Sequence, residues 1–135
     1  MKRYIARAHV KRAVVVGTGF TGLECAEALV KRGIHVTLVA RQDNICSYVL
    51  DNEGSDIANA VAAHLKKRAG VDIRTHCEVT GYTRASNGIS VASVQLSTGE
   101  SLPAQLLVVA TGVKRNVELA QKAGIAADPA GILVD

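Results

Sequence analysis

The sequence is poor in aromatic residues, with no tryptophan, one phenylalanine and three tyrosines among 135 residues. The net charge of +4 alone would be compatible with nucleic-acid binding. Nucleic-acid-binding domains, however, commonly stack bases on aromatic side chains, and this sequence has few of them. We therefore expect no nucleic-acid partner. A core built mainly from Val, Leu, Ile and Ala favours a parallel sheet covered by alanine-rich helices.

Cysteines and long apolar runs are also scarce. The three cysteines, Cys25, Cys46 and Cys77, are far apart and form no C-x-x-C pair. This spacing indicates reduced thiols packed as small hydrophobic side chains, and we expect no metal site. The first residues lack the apolar core of a signal peptide, and no apolar run is long enough to span a membrane. We therefore expect a cytoplasmic protein without membrane association.

A glycine-rich stretch is the strongest functional motif. Gly17, Gly19 and Gly22 have the spacing G-x-G-x-x-G and lie between an apolar run and a helical segment. In a dinucleotide-binding turn, the first glycine allows a sharp turn, the second lets a pyrophosphate approach, and the third lets the helix pack on the strand. The helix N-terminus then offers N–H groups to the phosphates. The predicted pyrophosphate site consists of Gly17, Thr18, Gly19, Phe20, Thr21 and Gly22.

Hydrophobic periodicity predicts an α/β order of elements. Apolar segments predict strands at 13–16, 34–39 and 105–110, and a further strand is predicted at 71–74, directly after a glycine. Helical patterns cover 20–32, 53–68 and 116–123, and residues 41–50 are predicted to form a loop. Segments 78–84, 89–96 and 100–102 alternate apolar and polar residues and are separated by hairpin turn signals. We predict a three-layer Rossmann-type fold with a parallel sheet and a three-stranded antiparallel meander.

This order resembles the nicotinamide-dinucleotide-binding domain of FAD-dependent pyridine nucleotide-disulfide oxidoreductases. Segments 14–26, 33–41, 50–74 and 102–116 carry the resemblance. The run Gly-Phe-Thr-Gly-Leu-Glu is most similar to the ferredoxin or rubredoxin reductase and nitrite reductase branches. In that family, the domain is inserted within an FAD domain and followed by a dimerisation domain.

The sequence has one dinucleotide fingerprint and no paired redox cysteines. The resemblance therefore implies an excised or truncated NAD(P)H-binding domain that binds without turnover and has no catalytic residue of its own. FAD, the FAD domain as a partner, and a homodimer are expected in the parent protein only. The expected divisions are a basic leader at 1–12, the binding domain at 13–130, and the start of a return strand at 131–135.

The resemblance also assigns residues near the nicotinamide. Phe20 matches a position that flanks the nicotinamide pocket, with a staple between helix and sheet as the alternative role. Glu24 matches a glutamate near the carboxamide, with an ordinary helical glutamate as the alternative. The run Ala110, Thr111 and Gly112 matches the Ala-Thr-Gly turn beside the bound dinucleotide.

The end of the second strand bears on the choice between NADPH and NADH. An acidic residue is expected there in NAD-binding domains, and this chain has Ala40 followed by Arg41. Arg41 is suited to pair with a 2′-phosphate, with a surface loop arginine as the alternative, so we predict that NADP(H) is favoured over NAD(H). The sequence departs from NADP-using relatives at Gly22, often alanine there, and near Ser47, where a second arginine is absent.

Another departure concerns the segment after Gly112. The family usually has a proline before the asparagine, and this chain has Lys114, Arg115 and Asn116. Proline would stiffen that crossover.

Two other functions are compatible with a Rossmann fold. One is a nucleotide-sensing regulatory module, and the other is a methyltransferase-like domain. Both usually carry an acidic residue at the end of the second strand, so Ala40 argues against them. The meander argues further against the regulatory module.

Overall fold

The computed structural model describes residues 2–42, 45, 55–67 and 71–134. The helices are α1 (Lys2–Arg7), α2 (Phe20–Val30), α3 (Ser55–Lys67) and α4 (Glu118–Lys122). The strands are β1 (Arg12–Val16), β2 (His35–Val39), β3 (Val71–Arg74), β4 (Val79–Arg84), β5 (Val91–Leu96), β6 (Ser101–Pro103), β7 (Leu106–Val109), β8 (Ala127–Asp128) and β9 (Gly131–Ile132).

Four strands form a parallel sheet in the order β3-β2-β1-β7. At its centre, Val14 of β1 is aligned with Thr37 of β2 on one side and Leu107 of β7 on the other. Apolar residues dominate β1, β2 and β7, as expected where both faces of a sheet are covered. The chain leaves β1 toward β2 but returns to the other side of β1 as β7, so the direction of winding switches between β1 and β7.

Helices cover one face of the sheet. Ala13 and Val15 of β1 point to this face and pack with Ala26 and Leu29 of α2. Leu65 of α3 joins the same buried cluster. The alternation along β1 thus places every second residue under the helices, as expected for a strand.

The antiparallel meander β4-β5-β6 covers the opposite face. Val14 and Val39 point to this side and pack with Val94, Leu96 and other buried residues, which include Cys77, Leu102 and Ala104. The three layers are therefore helices, parallel sheet and meander. The Rossmann-type fold and the three-stranded meander predicted from the sequence are confirmed.

The structure differs from the sequence prediction at the beginning of the chain. Residues 2–7 form a helix, and Tyr4 and Ile5 pack against the helical-side core. The Tyr4 hydroxyl donates a hydrogen bond to the Gln105 carbonyl over 3.0 Å, and the Gln105 side chain accepts the N–H of Arg12 at 2.8 Å. The first residues therefore fold back on the start of β7, a long-range contact that local periodicity does not reveal.

Two further differences concern α3 and the end of the chain. The helical spacing of Ile57, Val61, His64 and Leu65 predicts that they share one face of α3, but Ile57 is exposed and its neighbour Ala58 is buried. Near the end of the chain, Gly131 and Ile132 form β9, which pairs with β8 in an antiparallel hairpin of two residues per strand. The strand β8 was not predicted from the sequence. A two-residue strand such as β8 is too short for a periodic pattern to indicate it.

Some sequence predictions lie outside the described residues. These are the ends of the second predicted helix, most of the predicted loop at 41–50, Cys46 and Ser47. Among the helices that the structure describes, none combines the length and the apolar character that crossing a bilayer requires.

Candidate functional site

The turn between β1 and α2 lies against the end of β7. Gly17 has a φ of +99°, and its N–H donates to the Val39 carbonyl at 2.9 Å. A Cβ at Gly17 would collide with the Ala110 carbonyl, whose carbon would be 2.8 Å away. Residues with a side chain rarely adopt this backbone conformation. Both the turn at Gly17 and its close approach to the Ala110 carbonyl therefore require glycine.

Gly22 allows the first turn of α2 to press against the same backbone. A Cβ at Gly22 would collide with the Gly17 carbonyl, whose carbon would be 2.9 Å away. The methyl group of Ala110 would be 3.7 Å from that Cβ, so Gly17 and Ala110 leave no room for a side chain at Gly22. An alanine at this position would therefore require the turn to shift.

Gly19, in contrast, faces open space. It precedes α2 with a φ of −73° and a ψ of 179°, and a Cβ there would have no atom of the described residues within 4 Å. The first turn of α2 contains no acidic residue, and no side chain in the described part of the chain caps it. The first backbone N–H groups of a helix lack intrahelical acceptors, so this end of α2 is suited to an anion.

The side chains around the turn have different exposures. Thr18 is buried, whereas Thr21 and Glu24 are exposed on α2. Phe20 is 65% exposed, so it does not pack as a staple between helix and sheet. Phe20 therefore lies at the surface next to the uncapped N-terminus of α2.

The end of β7 joins this site. The Ala110 N–H donates to the Val16 carbonyl at 2.8 Å, which fixes Ala110 beside the glycine turn. Thr111 and Gly112 follow and are exposed. The structure thus brings the glycine turn and the Ala-Thr-Gly segment together, at the point where the winding of the sheet switches. In open α/β sheets, ligands bind outside the carboxyl ends of the strands at such a point.

The end of β2 brings the positively charged side chain of Arg41 to this site. Ala40 is buried, and its N–H donates to the Arg74 carbonyl at 2.8 Å while its own carbonyl accepts the Cys77 N–H at 3.2 Å. The Arg41 side chain is 77% exposed, and its Nη1 atom lies 3.9 Å from Oε1 of Glu78. Glu78 was not predicted from the sequence, because it lies far from Arg41 along the chain and belongs to no motif.

Two groups behind this edge have shifted pKa values. Burial between sheet and meander raises the pKa of the Cys77 thiol. The hydrogen bond with Glu100 is the main cause that raises the pKa of the Arg74 guanidinium. Cys25 and Cys77 are free thiols that belong to opposite sides of the sheet, so these two do not form a redox pair.

Comparison with known families gives a match over the whole chain. Residues 1–135 match the family model described as pyridine nucleotide-disulphide oxidoreductase. Putidaredoxin reductase from Pseudomonas putida is 36% identical over 124 residues, which are 92% of this chain and 28% of that protein. A CoA-dependent NAD(P)H sulfur oxidoreductase from Pyrococcus furiosus is 34% identical over 90% of this chain and 26% of its own length. The chain thus spans roughly a quarter of these curated relatives.

Solved structures show the same fold. A ferredoxin reductase from Rhodopseudomonas palustris matches with a TM-score of 0.76 and 31% identity, over 99% of this chain and 31% of that one. An NAD-dependent persulfide reductase from A. fulgidus matches with a TM-score of 0.78 and 34% identity, over 96% of this chain and 23% of that one.

Proposed function

The chain belongs to the pyridine nucleotide-disulphide oxidoreductase family, and we propose that it binds a nicotinamide dinucleotide and presents the nicotinamide to a flavin. One observation carries the proposal. Gly17 and Gly22 are packed against neighbouring backbone, whereas Gly19 faces open space beside a helix N-terminus that no described side chain caps. These features fit a pyrophosphate, which needs both room at the backbone and unpaired N–H groups.

The proposed roles follow from where each residue lies along the carboxyl ends of the parallel strands, here called the carboxyl edge of the sheet. The backbone of residues 17–22 binds the pyrophosphate. Phe20, Glu24 and the segment 110–112 orient the nicotinamide half, and Arg41 binds the adenosine ribose with its phosphate. These residues bind and orient, and none of them is proposed to exchange a proton or an electron with the substrate.

The nicotinamide itself supplies the hydride when it is bound. An acceptor flavin belongs, in this proposal, to an FAD domain of a longer parent chain. Exposed apolar residues support a docking surface for that domain, because Phe20, Val109 and Val113 are all exposed near the carboxyl edge. The domain divisions at 12/13 and 130/131, a cytoplasmic location and a homodimeric parent stay predictions.

We further propose that NADPH is preferred to NADH. No carboxylate stands at Ala40 to accept hydrogen bonds from a ribose 2′-hydroxyl. Arg41 is exposed at the same strand end, where a guanidinium can donate two parallel hydrogen bonds to a 2′-phosphate.

Isothermal titration of the purified chain with each dinucleotide tests both proposals. In Arg41→Glu we expect NADPH affinity to fall by about tenfold or more, because a charged hydrogen bond is lost and repulsion is added. NADH affinity should change little. Lys11→Glu is the matched control, since Lys11 precedes β1 at the opposite edge of the sheet.

The outcomes separate the two claims. An absence of binding by either dinucleotide at millimolar concentration would contradict the binding function. Binding with an unchanged preference for NADPH in Arg41→Glu would contradict the role of Arg41 alone.

A further inference from the structure

Arg41 has an acidic neighbour that belongs to no dinucleotide-binding motif. Oε1 of Glu78 lies 3.9 Å from Nη1 of Arg41, and the two side chains are 60% and 77% exposed. Glu78 follows the turn after β3 and immediately precedes β4, so the meander, and not the glycine turn, brings it to the carboxyl edge of the sheet.

The backbone of Glu78 is held in place on both sides. Its N–H donates to the Ser97 side chain at 3.0 Å, and its carbonyl accepts the Ser97 N–H at 2.8 Å. The preceding residue, Cys77, donates its N–H to the Ala40 carbonyl at 3.2 Å. The carboxylate therefore rises from a fixed backbone next to the end of β2, and its proximity to Arg41 follows from the fold.

The other arginine near this turn is engaged elsewhere. Arg74 makes two hydrogen bonds with the Glu100 carboxylate, at 3.2 and 3.3 Å. Glu100 is thus paired with Arg74, and Glu78 is paired with Arg41.

We propose that Glu78 limits the preference of this site for NADPH over NADH by competing for Arg41, an inference that rests on the proposed dinucleotide function. A 2′-phosphate must share or displace the Glu78 carboxylate at the guanidinium, and it carries negative charge of its own. The 2′-hydroxyl of NADH is neutral, so the same carboxylate costs it little. Glu78 therefore acts as a specificity-determining residue through Arg41.

The expected effect is modest because both side chains are largely exposed and their separation exceeds hydrogen-bond length. Removing one partner of such a pair should change NADPH affinity by about two- to fivefold. In Glu78→Gln, NADPH should therefore bind about two- to fivefold more tightly, with NADH affinity unchanged. The difference should shrink in high salt, where exposed charges are screened.

Titration of four proteins with NADPH and NADH tests the inference. They are the wild type, Glu78→Gln, Arg41→Gln and the double variant. The gain in NADPH affinity should vanish when Arg41 is absent. Glu27→Gln is the matched control, because Glu27 also forms an exposed ion pair, at 3.0 Å with Lys31. It lies in the half of α2 that runs toward the opposite edge of the sheet.

The inference holds if Glu78→Gln raises the NADPH-to-NADH affinity ratio, Glu27→Gln does not, and the gain requires Arg41. An unchanged ratio in Glu78→Gln, an equal gain without Arg41, or weaker NADH binding in Glu78→Gln would overturn it. A wild-type chain that binds neither dinucleotide would instead contradict the proposed function on which the inference rests.

Discussion

At the scale of single residues, the glycines of the β1–α2 turn serve different physical purposes. Gly17 has a positive φ and touches the Ala110 backbone, and Gly22 touches Gly17. Gly19 has an ordinary backbone conformation and open space where a side chain would be. The fold therefore requires the first two, whereas the third leaves open the space that the proposed pyrophosphate would occupy.

Substitution should separate stability from binding. Gly17→Ala should lower the free energy of unfolding by about 2–4 kcal/mol, because backbone strain and a collision with a carbonyl add together. Gly19→Ser should leave stability nearly unchanged, since serine is a favoured N-cap. It should abolish dinucleotide binding, because its side chain fills the space for the pyrophosphate. Urea denaturation and isothermal titration measure the two effects.

The opposite pattern would contradict this division of roles. A stable Gly17→Ala chain, or a Gly19→Ser chain that binds NADPH as tightly as wild type, would each be inconsistent with the geometry of the turn.

Cys77 predicts how stability depends on pH. Burial raises the pKa of its thiol in the folded state above the unfolded value of about 8.5. As pH rises past the unfolded value, the unfolded chain loses this proton first, so stability falls by up to about 1.4 kcal/mol per pH unit until the folded pKa is reached. Below the unfolded value, Cys77 contributes no pH dependence.

The comparison of wild type with Cys77→Ala isolates this effect. The difference in unfolding free energy between the two proteins should be constant at neutral pH and should narrow at alkaline pH. A difference that stays constant through pH 10 would show that the Cys77 thiol ionises equally in both states.

Part of the arrangement of the candidate site could be predicted from motifs in the sequence. The glycine turn and Ala110 lie together, as the family resemblance implies, and Arg41 is exposed at the end of β2. Glu78 was not predicted, because its proximity to Arg41 depends on how the meander returns across the sheet. No local pattern in the sequence encodes that contact.

At the scale of elements, strands were predicted better than short helices. Apolar residues dominate β1, β2 and β7, strands of four or five residues, so their assignment does not depend on a narrow periodicity. The helix α1 was missed because Tyr4 and Ile5 pack against a core built from distant parts of the chain, and the Tyr4 hydroxyl bonds to Gln105 just before β7. Long-range contacts of this kind stabilise a short helix that propensity alone does not.

The joint between β3 and the meander gives a prediction at this scale. Arg74, the last residue of β3, makes two hydrogen bonds with Glu100 just before β6. Both side chains are about 40% exposed, so solvent screens the pair, and a double-mutant cycle with Arg74→Met and Glu100→Gln should give a coupling of about 0.5–1 kcal/mol.

Salt provides the control for this cycle. The coupling measured from urea denaturation should decrease at high ionic strength, because exposed charges are screened. A coupling of zero at low salt would show that the two side chains do not hold the meander to β3.

At the scale of the whole molecule, the helices and the meander, which cover opposite faces of the sheet, each bring different residues to the candidate site. Helices on one face place the N-terminus of α2 at the carboxyl edge, and the meander on the other face places Glu78 there. The candidate site thus combines the glycine turn beside the helical layer with a charged pair that joins sheet and meander. The order of elements was predictable from periodicity, whereas the meeting of the two layers at one edge required the structure.

An amide proton–nitrogen correlation spectrum of the chain titrated with NADPH tests whether the dinucleotide binds at the carboxyl ends of the strands. We expect the largest shift changes at residues 17–22, 110–112 and Arg41. Lys11 and Gly33, which lie at the opposite edge of the sheet, should be unaffected. A spectrum that does not change up to millimolar NADPH, or that changes only away from the carboxyl edge, would contradict it.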